Sequence, residues 1–208
     1  MLPAFTEPYS FDVVNTAGTD YQDLSFAEPM QMAAPILYLY PPETTTVDVS
    51  LGFPVGGHVT VSESPFAGGW HVQVDPRGWI DDEYGYLFYE TSVPQRATTD
   101  EGCLLDGADL ERELWRLLTR QGFQGRESDD FINFWAPRLE GAPWFAVYSQ
   151  DAAALVTLTI EPPPDRIHRV LFLIRPLQAP LTIQPPREPG PLHREGFGAM
   201  EWGVLVEI

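Results

Sequence analysis

Lysine is missing from this chain. All 12 basic residues are arginine, against 30 acidic residues, for a formal net charge of −18. A field of that sign repels phosphate backbones and anionic headgroups, so neither nucleic-acid nor membrane-surface binding is expected. It favours cationic partners, divalent ions, or plain solubility in salt. Cys103 is the only cysteine, so no intrachain disulfide can form. No apolar run reaches the roughly 18 residues of a membrane-spanning helix, and no membrane insertion is expected. The opening MLPAFTEPYSF lacks a basic start followed by an apolar stretch, so it does not read as a signal peptide. The expected location is extracellular or cell envelope if a leader was removed, and cytoplasmic otherwise. Internal repeats, a P-loop, a strand-linked glycine fingerprint and a G-x-S-x-G elbow are all absent, and no cofactor is expected.

Hydrophobic side chains are plentiful. They make up 44% of the 208 residues, and aromatics 12%, which is enough for a packed core. Residues 1–34 mix Pro, Thr, Asp and scattered aromatics without periodicity and read as an extended arm. From Pro35 to Ile208 a single domain is expected. Ile36–Tyr40, Thr46–Leu51, His58–Val61 and Trp70–Val74 are short β-prone runs, and the middle two and the last alternate apolar with polar residues. The loop between His58–Val61 and Trp70–Val74 suggests that these two strands form a hairpin. Trp79–Ile80 and Tyr84–Tyr89 read as further strands.

The period then changes. Leu110, Leu114, Leu117 and Leu118 lie on one helical face, with Asp109 or Asp106 as cap and Gly122 as terminator. Phe131, Ile132, Trp135 and Leu139 line a second helix starting near Ser128, which Pro137 should stop or kink. Strands return at Phe145–Tyr148, Leu155–Ile160, Ile167–Ile174 and Phe197–Val206. The order of elements predicts an α+β fold, mainly antiparallel sheet or sandwich, with one inserted αα-hairpin.

Several segments together carry a resemblance: Ile36–Pro41, Gly69-Trp70, Tyr86–Glu90, Phe131–Pro137 (FINFWAP), Arg169-Val170, and Arg194–Phe197 leading to Glu201-Trp202-Gly203. Over about residues 35–203 the chain resembles a group of uncharacterised bacterial proteins, many secreted or lipid-anchored. In that group a YLYP run opens the domain and an EWGG run closes it. Ala34 stands where that group usually has a basic residue, and Val204 where it has a second glycine. The resemblance implies an envelope location and supplies no catalytic residues.

Glu90 and Glu201 are the candidate catalytic pair. Each adjoins aromatic residues at a predicted strand boundary, and a carboxylate in apolar surroundings can act as a general acid beside an ionised one. Trp70, Trp135 and Trp202, with Arg169 and Arg194, are the candidate binding residues. The alternative is that each glutamate pairs with an arginine such as Arg169 or Arg194 and closes the sheet, since buried acids are normally paired. His58, His71 and Asp75 are weak candidates for metal ligands, set against a solvated sheet face. Asp75, Asp81, Asp82 and Glu83 read as an acidic turn without EF-hand spacing. Cys103 reads as a loop thiol. The expected function is a non-enzymatic binding or structural module of the bacterial cell envelope, with a protein or glycan partner. The alternatives are a hydrolase acting on glycan or peptide through the two glutamates, and a metal-stabilised module.

Overall fold

The computed structural model describes residues 30–63, 66–94, 97–186 and 192–207. The arm expected over residues 1–34 lies outside that set except for its last five residues, and those belong to a strand. Ten strands are present among the described residues: β1 (Met30–Tyr40), β2 (Thr45–Gly52), β3 (His58–Ser62), β4 (Trp70–Val74), β5 (Leu87–Val93), β6 (Gly102–Asp106), β7 (Trp144–Gln150), β8 (Thr157–Glu161), β9 (Arg166–Leu177) and β10 (Gly198–Glu207). The helices are α1 (Leu110–Arg120), α2 (Arg126–Trp135) and the one-turn α3 (Ala152–Leu155). The fold is α+β and β-rich, with mostly antiparallel sheets.

The described residues group into two compact units. One holds 97–150 with 172–186 and Leu192. Its strands are β6, β7 and the second half of β9, with β6 antiparallel to β7. Leu110, Leu114, Leu117 and Leu118 are all buried, as the helical spacing requires. Asp106, not Asp109, supplies the side-chain cap, accepting from the Ala108 amide at the turn before α1. Gly122 adopts a φ of 89° where the helix ends. Phe131 of α2 meets Phe172 of β9 edge-on, at 6.2 Å between ring centres. Pro137 falls in a 3-10 turn directly after α2.

The other unit holds 30–63, 66–94, 151–171 and 193–207. Its larger sheet runs β3-β5-β1-β10 and then the first half of β9; its smaller sheet runs β4-β2-β8. The two sheets pack face to face. Trp70 on β4 lies 5.9 Å from the ring of Tyr89 on β5. Leu37, Leu87, Leu171 and Leu205 are fully buried, each contributing about 1.5–3 kcal/mol through removal from water.

The expected hairpin of His58–Val61 with Trp70–Val74 does not form. β3 pairs with β5 in the larger sheet, whereas β4 pairs with β2 in the smaller one. Val47 and Val49 on β2 offer β4 a buried apolar row facing Val72 and Trp70, so β4 completes that sheet. Val61 by contrast is 42% exposed, as a strand at a sheet edge allows. Trp79–Tyr86 is not a continuous strand. It holds only the isolated bridges Val74↔Ile80 and Ile80↔Tyr84. The strand begins at Leu87 and continues past Glu90 to Val93. Cys103 lies in β6, opposite Val147, and not in a loop.

Candidate functional site

β1 is irregular at its centre. Its pairing with β10 shifts register between Ala33 and Ile36, its pairing with β5 between Met32 and Ile36, and Ala34 takes a φ of 47°. The extra residue is a β-bulge, and it places only small or cyclic side chains (Ala33, Ala34, Pro35) in that stretch. Neighbouring strands lie about 4.8 Å apart, so a side chain on β5 must cross about 10 Å to meet one on β10. Tyr89 makes that crossing. Its hydroxyl donates to Glu201 Oε1 at 2.5 Å. On the other side, Arg169 of β9 donates from Nε to Glu201 Oε2 at 2.5 Å and from Nη1 to the Val156 carbonyl at 2.6 Å.

Both oxygens of Glu201 are thus engaged, and the side chain is 2% exposed. Burial pushes the Tyr89 hydroxyl well above its ordinary pKa, and the negative charge of Glu201 pushes the same way. Burial opposes the charge on Arg169, but Glu201 and Tyr89 outweigh it and hold the guanidinium more firmly protonated. This arrangement is a closed ionic tie. A general acid or base needs an oxygen open to substrate, and neither oxygen of Glu201 is.

Glu90 and Glu201 are both buried, but in the middle of strands rather than at strand ends. They also have different partners. Glu90 accepts from Gln31 Nε2 at 2.8 Å. The extra residues at the irregularities beside this stretch lie on β3 and β1, not on β5, so adjacent Tyr89 and Glu90 point to opposite faces of the sheet. Tyr89 reaches Glu201, and Glu90 therefore faces away from it. Arg169, not Arg194, is the ion-pair partner of Glu201. Arg194 lies half-buried before β10.

The three candidate tryptophans are core residues. Trp70, Trp135 and Trp202 are 3%, 0% and 0% exposed, so none presents a ring face to a ligand. Trp70 sits beneath Phe66 and against Tyr89. Trp135 packs on Phe131 and Phe134 in the helical unit. Trp202 adjoins Glu201 on β10 and points to the opposite face. Gly203 returns to the Glu201 face, where Leu171 and Pro35 approach within 3.4 and 3.5 Å of the position a Cβ would take.

The metal candidates separate. His58 lies on β3 and His71 on β4, in different sheets. His71 Nδ1 meets Asp48 Oδ1 at 2.7 Å on an exposed face. Asp75 Oδ1 accepts the Trp79 and Arg77 amides, and Oδ2 the Arg77 guanidinium; these bonds shape the turn and, the Trp79 amide foremost, lower its pKa. Asp81 Oδ1 likewise accepts the Gln73 amide. Among the described residues no group of three His, Cys, Asp or Glu could hold a metal ion.

A concave surface lies along β3 instead. All five residues of that strand, His58–Ser62, line an open groove of about 870 Å³ with Leu51, Phe53, Gly57, Glu63, Phe66 and Gly68. Partial burial raises the pKa of Glu63. The groove is not legible from periodicity, because Phe53 and Phe66 lie between strands, outside any periodic run. The available signal was a Gly56-Gly57 pair and a Gly68-Gly69 pair bracketing a strand whose valines are not core residues. No protein family, no curated protein and no solved structure matches this chain.

Proposed function

We propose that this chain is a non-enzymatic binding module that takes its ligand in the groove along β3, with Glu201, Arg169 and Tyr89 as a structural tie behind it. The groove carries this reading. It is open, its volume is within the roughly 300–1,000 Å³ of ordinary ligand sites, and it mixes apolar walls with polar groups. The hydrolase reading has weaker support, because Glu90 and Glu201 point to opposite faces of their sheet. The envelope location rests on the sequence resemblance alone.

Labelled protein on an array of peptides and glycans tests the proposal. Binding should fall at least tenfold with Val61→Arg, an exposed groove residue, and persist with Tyr89→Phe. No signal on either class, or a signal indifferent to Val61→Arg and lost with folded Tyr89→Phe, would overturn it.

A further inference from the structure

We infer that the groove receives an extended, arginine- or lysine-bearing peptide that adds to β3 as a further strand. This rests on the groove being the binding site and names what it binds. Among the described residues β3 ends its sheet and pairs with β5, and no other described strand lies beside His58–Val61. Unpaired strand edges are ready-made templates for another chain, and many peptide-recognition sites use them in this way. Every residue of the strand lines the groove, five residues or about 17 Å, which is the length of a short peptide strand.

The opposite wall is built in the same way. Among the described residues β4 pairs with β2 as far as Val49, while β2 continues to Gly52 against β8. Leu51 in that overhang lines the groove. Two strand ends therefore border one channel, with Phe53 and Phe66 as apolar walls for alternate side chains of the guest.

Charge selects the occupant. Among the described residues no arginine lines the groove, Glu63 does, and the whole chain carries −18. Such a field attracts cationic peptides and slows the approach of anionic ones. It also disfavours a second copy of this chain, whose own charge would have to be brought close.

Capped octapeptides alternating valine with arginine are the probe, titrated by calorimetry against the full chain. Three companions are compared: a valine–glutamate peptide, and two valine–arginine peptides N-methylated at alternate residues so that one or the other strand edge cannot donate. The proposal expects the valine–arginine peptide to bind and the glutamate peptide to bind at least tenfold more weakly. One N-methylated peptide should lose at least tenfold and the other much less. Val61→Arg should weaken binding at least tenfold. Binding that Val61→Arg abolishes but both N-methylated peptides retain would overturn strand addition while leaving the groove as the site. Binding untouched by Val61→Arg would overturn both. No binding of the valine–arginine peptide would overturn strand addition, and the array result then decides the groove separately.

Discussion

Tyr89 and Glu201 lie 112 residues apart in sequence and share a 2.5 Å hydrogen bond that passes over the bulged centre of β1. With Arg169 they tie β5, β10 and β9 together on the inner face of the larger sheet. The tie gives the Glu201 carboxylate its counter-charge and both its hydrogen bonds within a mainly apolar core. It also accounts for the small residues of β1 beneath it.

Removing the cation should be costly. Arg169→Leu leaves the Glu201 carboxylate buried without its counter-charge, and stability should fall by about 3–5 kcal/mol. Urea unfolding measures this. Arg169→Lys should recover part of the loss, because an ammonium restores the charge but not both fixed N–H contacts. A loss under about 1 kcal/mol for Arg169→Leu would mean that the pair is screened like a surface ion pair.

Deleting the tyrosine hydroxyl removes one hydrogen bond to a charged acceptor while keeping the ring against Trp70. Tyr89→Phe should therefore destabilise by about 1.5–3 kcal/mol. The near-ultraviolet dichroism of the core should stay close to that of the parent.

Alkaline pH should expose the same group. A tyrosine in an unfolded chain titrates near pH 10, and folded Tyr89 holds its proton to higher pH. The stability this contributes is complete below about pH 10 and declines above it, by about 1.4 kcal/mol per pH unit. Lysine cannot contribute to the decline, because the chain has none. Urea unfolding between about pH 9 and about pH 11 should show a shallower decline for Tyr89→Phe than for the parent, and equal slopes would contradict the assignment.

Cys103 should be a slow thiol. Burial pushes its pKa up, which outweighs the opposing influence of Arg120. At about pH 8 iodoacetamide should modify it more slowly than a free small-molecule thiol, and denaturation should remove the difference.

What the sequence revealed was mostly local. The leucines of α1 announced their helix because their spacing is itself the packing pattern. Glu201 stood out because it adjoins Trp202 in a strongly apolar strand. Its partner Tyr89 did not, since that contact depends on strand order and on a bulge in the strand between them, and neither leaves a local trace. β3 was misplaced for a similar reason. Alternation shows which face of a strand is apolar, but not which neighbour it will pair with. The groove follows from that pairing and was hidden along with it.

A double-mutant cycle on stability tests most directly whether Glu201 belongs to the tie or to a pair with Glu90. Tyr89→Phe and Glu201→Gln should couple by more than about 1 kcal/mol, as contacting residues do. Glu90→Gln and Glu201→Gln should add to within about 0.5 kcal/mol, as independent sites do. Strong coupling between the two glutamates, with none between Tyr89 and Glu201, would contradict the structural tie and return the carboxylates to a shared site.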